Sequence, residues 1–134
     1  MEKINEVIKT ILSMYNTINN KWKSSENYIK INQRKNQVID IVLNPEIMEN
    51  IIKYREFVNN EVSYIEYRLQ IFNNLNITSR VKQKNSIESK IWHYIFKKTN
   101  GKSSMNKCIN DIYGIRIIVD DSINYEDIQK LIDL

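Results

Sequence analysis

The chain is 134 residues long, 42% of them hydrophobic, with a formal net charge of +4; that suffices for one domain with a modest single core. One cysteine, Cys108, and one histidine, His93, exclude an internal disulfide framework and a His/Cys zinc site, leaving hard cations held by carboxylates and phosphates as the candidate metals. No apolar run approaches the roughly 20 residues that cross a bilayer, and the N-terminus carries no apolar signal block, so the expected setting is a reducing cytoplasm.

Residues 3–22 predict an amphipathic helix. Ile4, Val7, Ile8, Ile11, Leu12, Tyr15, Ile18 and Trp22 recur at helical spacing and form one apolar stripe. The Ser24-Ser25 pair offers an N-cap for a second helix reaching about Leu43, polar all round over 32–37. Asn44-Pro45-Glu46 is a third helix start, with Asn as cap and Pro where its missing N–H costs nothing. A stripe from Ile47 to Phe72 then runs for about seven turns, and Asn73, Asn74 and Asn76 end it. Tyr54, Tyr64 and Tyr67 on that helix read as packing residues rather than as a stacking platform.

Downstream the character changes. Between Arg80 and Lys107 there are eight basic residues and a single acid, Glu88. Such a field favours polyanions, either nucleic acid or a nucleotide's phosphates, with a plain solvated face as the alternative. Ile77 to Lys82 alternates, which predicts an extended segment with Arg80 and Lys82 on one side. Asn85 and Glu88 have the spacing of a capping box for a helix that buries Ile87, Ile91 and Ile95. Ser86 and Lys90 fall one turn apart on another face. An arginine, two lysines, a hydroxyl and a helix N-terminus thus gather in one region, a combination suited to phosphates.

His93 has nothing nearby in sequence to orient it as a base. Asn100-Gly101 predicts a turn. Met105, Cys108, Ile109 and Ile112 fit a short helix capped by Ser103 or Ser104, with Cys108 in the core and Gly114 at its left-handed end. Ile115 to Val119 reads as a buried strand. Asp111 and Arg116 would face opposite sides of one regular strand, so a junction at Gly114 is expected to bring both to one pocket. Asn124 then caps a last helix with Ile128, Leu131 and Ile132 inward.

Arg80-Val81-Lys82, then Ser86-Ile87 with Lys90, then Asp111-Ile112-Tyr113-Gly114-Ile115-Arg116 resemble, in order and spacing, the nucleotide-binding core of RelA/SpoT-type (p)ppGpp synthetases. The small, single-domain alarmone synthetases are the most similar. The resemblance covers residues 77–134 and leaves 1–45 unmatched. It implies an α+β fold, with a helical N-terminal region over 1–76 and the first part of a nucleotidyltransferase-like mixed sheet, flanked by helices, over 77–134. It also implies GTP pyrophosphokinase chemistry: with Mg²⁺, pyrophosphate passes from ATP to the 3′-hydroxyl of GDP or GTP, and AMP leaves.

Position by position, the resemblance makes Arg80 and Arg116 a sandwich for adenine, a role lysine could not take. Lys82, Ser86 and Lys90 would hold the ATP phosphates, and Asp111 would ligate the metal, with Asp111 and Lys90 as the catalytic pair. Gln83 stands where long bifunctional members often have histidine. The family's tyrosine-bearing guanine segment and its Glu-x-Gln-x-Arg-type strand have no counterpart here. The expectation is therefore an incomplete chain, inactive or nearly so alone and prone to self-associate as a homo-oligomer. Two other readings stand beside it: a toxic relative that pyrophosphorylates the 3′ end of tRNA, and a non-catalytic nucleotide-binding or helical interaction module.

Overall fold

Residues 2–72, 75–118 and 126 are described by the computed structural model. The elements run α1 (Glu2–Lys23), α2 (Val38–Leu43), α3 (Pro45–Leu69), a 3-10 turn (Gln70–Phe72), β1 (Asn76–Val81), α4 (Lys84–Phe96), α5 (Met105–Cys108) and β2 (Tyr113–Ile118). The architecture is α+β, mostly helical, with a two-stranded antiparallel sheet of β1 and β2.

α1 forms where the stripe predicts it, but its buried face differs in two positions. Ile4, Val7, Met14, Ile18 and Trp22 are buried, whereas Leu12 is 51% exposed. Residues 4, 7, 14, 18 and 22 keep to one line, and Leu12 sits about 100° round the helix from Ile11. The second helix is much shorter than expected. Ser24 does not start it; its N–H and Oγ donate back to Asn20 O at 3.1 and 3.0 Å, closing α1. The Asn32 side chain accepts the N–H groups of Arg34 and Lys35, both at 3.1 Å, an Asx turn that competes with helix. Gln37 then bridges to Ser104, so only Val38–Leu43 is helical.

Asn44 serves two helices. Its N–H donates to Asp40 O at the end of α2, and its Oδ1 accepts the Glu46 N–H at the start of α3, with Pro45 in the first turn. α3 is the spine that both parts of the core share. Its first half (Ile47, Ile51) packs with Val38 and Ile41 of α2, Ile87, Ile91 and Tyr94 of α4, and Met105, Cys108, Ile109 and Ile112. Its second half (Val58, Ile65, Leu69) packs with Met14 and Ile18 of α1 and the inner face of the sheet. Asn73 and Asn74, expected to end this helix, lie outside the described residues.

α4 begins one residue before Asn85. Gln83 is the N-cap, with extended backbone and no side-chain capping bond, and its carbonyl accepts the Ile87 N–H at 3.1 Å. The expected Asn85–Glu88 capping box is therefore absent: leaving β1 already extended, the chain enters the helix early and carries Asn85 into the first turn. Tyr94 takes the buried place expected of Ile95, which is half-buried, and the Tyr94 hydroxyl donates to Lys107 O at 3.2 Å. Asn100 (φ 55°) and Gly101 (φ 75°) make the left-handed turn after α4. The Gly101 carbonyl accepts the Ile39 N–H at 2.9 Å, which ties α2 to this turn.

α5 stops at Cys108, with Ser104 before it and Ile109 at its C-cap. Gly114 is not its left-handed terminus but an ordinary residue of β2. Nor is β2 buried on both faces. Its residues alternate between half-buried and exposed, and Ile118 is 52% exposed, because only one side of the sheet meets α1 and α3. Val119 and the helix expected after Asn124 lie outside the described residues, apart from Glu126.

Candidate functional site

The antiparallel register places the two arginines. Thr78 pairs with Arg116 and Arg80 with Gly114, and directly opposed residues share a face. Arg80 and Arg116 are thus diagonal neighbours on one side, about 7–8 Å apart at the backbone. That side is the exposed one, since Ile77, Ser79 and Val81 with their partners Ile117, Ile115 and Tyr113 point inward. Gly114 contributes no side chain between the arginines, and a Cβ there would meet nothing within 4 Å. The expected pairing of two guanidinium planes is therefore sterically open.

At the α4 end of the sheet a second group assembles. The pairing runs one step past β1, with the Lys82 N–H donating to Ile112 O at 2.7 Å. Arg55 of α3 donates from Nε to Lys82 O at 3.0 Å, holding the strand-to-helix junction from behind. Lys82 Nζ then reaches Asp111 Oδ2 at 3.0 Å, and Lys90 Nζ reaches Oδ1 at 3.3 Å. Asp111 lies in the turn before β2, not at a junction shared with Arg116. The structure brings Lys82, Lys90 and Asp111 together as one cluster and sets Arg80 and Arg116 on one face of the sheet. Ser86 is exposed on the first turn of α4, one turn before Lys90.

Arg55 is the participant that sequence reading missed. It falls four residues after Ile51 and three before Val58, on the apolar stripe itself. A cation inside a stripe is a signal that it has a buried acceptor to reach.

Partial burial alone would raise the Asp111 pKa, but the hydrogen bonds and charges of Lys82 and Lys90 outweigh it and hold the carboxyl below its ordinary value of 3.8. A carboxyl so shifted stabilises the fold above its ordinary pKa, and that stabilisation is lost as pH falls through the lowered one. Thermal unfolding from pH 6 to pH 2 should therefore show the wild type ahead of Asp111→Asn at pH 6, with the gap closing below about pH 4. A gap that stays constant down to pH 2 would assign the difference to something other than this ionisation.

Among the described residues no group of three or more His, Cys, Asp or Glu side chains could cage a metal. One carboxylate flanked by two ammonium groups does not fit a cation held by protein alone. It does fit Mg²⁺ arriving on a nucleotide, which takes one or two carboxylates together with phosphate oxygens and waters. His93 is exposed on α4, and among the described residues its one aromatic contact is the edge of Tyr94. Cys108 is 1% exposed, and burial pushes its thiol pKa up, with the nearby lysines offsetting only part of the rise. It is a core residue, as expected. No helix among the described residues is long and apolar enough to cross a membrane.

No family model, no curated protein and no solved structure matches the chain.

Proposed function

We propose that these two clusters form the donor half of a (p)ppGpp synthetase-like site, which binds Mg²⁺·ATP for transfer of its terminal pyrophosphate to the 3′-hydroxyl of GDP or GTP. The observation that carries the reading is the sheet register, which sets Arg80 and Arg116 side by side on an open face beside the Lys82–Asp111–Lys90 cluster. The resemblance of these same residues to RelA/SpoT-type synthetases supports it, and so does the basic field between Arg80 and Lys107. In this reading the β1–β2 pair is the start of a nucleotidyltransferase-like mixed sheet, and the protein works in the cytoplasm.

Arg80 and Arg116 receive the adenine between their guanidinium planes, which stack on a base. Lys82 and Lys90, now neutralised by Asp111, transfer their hydrogen bonds to the phosphates, joined by the Ser86 hydroxyl and the free N–H groups of the first turn of α4. Asp111, released from the lysines, would be the residue to hold the metal. Mg²⁺ supplies charge neutralisation on the phosphoryl oxygens, and Lys90 adds to it as the donor pyrophosphate passes to the acceptor. The hydroxyl oxygen bonds to the β-phosphorus as the α–β bridge breaks, AMP leaves with the bridging oxygen, and the hydroxyl proton goes to solvent. Positioning and charge neutralisation supply the catalysis, as in phosphoryl transfer generally.

The exchange of partners at Asp111 is directly testable. With a non-hydrolysable ATP analogue, Mg²⁺ should strengthen binding to the wild type. Asp111→Asn should bind the metal-free analogue about two- to fivefold more tightly, since an exposed ion pair is worth up to about 1 kcal/mol, and should lose the gain from Mg²⁺. An equal Mg²⁺ gain in both proteins would remove Asp111 from the metal.

A further inference from the structure

A separate cavity of about 430 Å³ lies on the opposite side of the sheet from the two arginines, between α1, the 28–33 segment, the first half of α3 and the 109–113 turn. Its size falls within the range of small-molecule sites. Among the described residues, five aromatic side chains line it: Tyr15, Trp22, Tyr28, Tyr54 and Tyr113. They pack on one another edge to face, with Tyr15–Tyr113 ring centroids 5.8 Å apart, Trp22–Tyr54 5.4 Å and Trp22–Tyr28 6.4 Å.

The polar groups of the cavity are selective in kind. Among the described residues its lining has no carboxylate and one cation, Lys23, and carries four carboxamides, Asn19, Gln33, Asn50 and Asn110. Asn50 is 8% exposed; its Nδ2 donates to Asn27 O at 2.7 Å, and its Oδ1 accepts no bond among the described residues. The Tyr113 hydroxyl is fully buried and, among the described residues, makes no close hydrogen bond, with the Ser79 side chain within interaction range. Burial and the mutual proximity of Tyr15, Tyr54 and Tyr113 push the Tyr15 pKa up to about 12. Burial raises Tyr54 and Tyr113 as well, so all three phenols stay protonated and able to donate.

From this combination we infer that the cavity is a binding site for a flat heteroaromatic base carrying one anionic group, a ligand of the nucleoside monophosphate type. The aromatic walls take the ring faces. Each carboxamide presents a donor beside an acceptor, which matches the paired edge of a base. The protonated phenols of the lining supply donors for a ring carbonyl or nitrogen, and Lys23 faces the anionic group. This site shares no residue with the ATP reading and does not depend on it.

Trp22 reports on the cavity directly once the other tryptophan is removed. In a Trp92→Phe background, titration with guanosine 5′-monophosphate should change Trp22 fluorescence saturably. Adding Gln33→Ala and Asn110→Ala, both at exposed lining positions, should weaken that binding about tenfold or more, with the circular dichroism spectrum unchanged. Lys23→Ala should weaken the monophosphate but leave free guanosine unaffected. Arg80→Ala with Arg116→Ala should leave binding within about twofold. The proposal is overturned by the absence of any saturable change with either ligand, by insensitivity to the Gln33 and Asn110 replacements, or by loss of binding in the arginine variants, which would move the ligand to the sheet face.

Discussion

Replacing Arg80 and Arg116 together by alanine is expected to lower affinity for an ATP analogue about 100-fold without unfolding the protein. Stacking on a base is worth about 1–3 kcal/mol per contact by substitution, and both guanidinium groups lie on one face of the sheet as diagonal neighbours. Neither makes an ion pair among the described residues, so removing them leaves no buried partner unsatisfied. The lysine pair, Arg80→Lys with Arg116→Lys, separates charge from shape. It keeps both charges but loses the planes, so it should recover only a minor part of the affinity. Full recovery by lysine would make the arginines point charges, and a loss below about threefold would remove them from the site.

Gly101→Ala is expected to cost about 3 kcal/mol, lowering the unfolding midpoint by about 10 °C in a domain of this size. Gly101 sits at φ +75°, and a Cβ there would lie 2.9 Å from Ile39 Cβ and 3.2 Å from Ile39 N. Left-handed backbone costs an L-residue about 1–2 kcal/mol, and overpacking adds about 1–3 kcal/mol. Neither neighbouring atom belongs to a flexible side-chain end, and the Ile39 N–H is already bonded to Gly101 O at 2.9 Å. Gly114→Ala is the control. A Cβ there meets nothing within 4 Å and φ is not left-handed, so its effect on stability should stay within about 0.5 kcal/mol. Equal destabilisation by the two substitutions would show that the α4–α5 turn does not depend on close contact with α2.

The contrast between the two glycines marks where sequence reading succeeded and where it could not. Asn100-Gly101 was legible because two adjacent left-handed formers close a helix whatever surrounds them. Gly114 looked similar, following an apolar helical pattern, yet it is a strand residue opposite Arg80. Its role depends on register with residues more than thirty positions away, which no local pattern carries. The long helices were legible from their stripes, and Asn44-Pro45 from capping chemistry alone. The segment before α2 was not: Asn32 and Gln37 commit to an Asx turn and to a bridge with Ser104, and the second of these is tertiary. Asn85 and Glu88 had the spacing of a capping box, but the extended Gln83 delivered by β1 took the cap position first.

For the candidate site, the grouping of the residues was only partly legible. Alternation put Arg80 on one side of a strand, but only the pairing of Thr78 with Arg116 brings the second arginine beside it. Lys82, Lys90 and Asp111 come from three different segments, and no spacing between them predicts a common carboxylate. Arg55, which holds Lys82 O from α3, joins residues 27 positions apart through a single part-buried bond. The cavity lined by Tyr15, Trp22, Tyr54 and Tyr113 was invisible for the same reason, as its walls come from α1, α3 and the start of β2.

The donor half-site stands or falls most directly on calorimetric titration of the wild-type protein, in Mg²⁺, with a non-hydrolysable ATP analogue and separately with GDP. Saturable one-to-one binding of the ATP analogue, lost with Arg80→Ala and Arg116→Ala, together with no heat from GDP at the same concentrations, is the predicted result. Absence of ATP-analogue binding, or binding that survives loss of both arginines, would contradict the account.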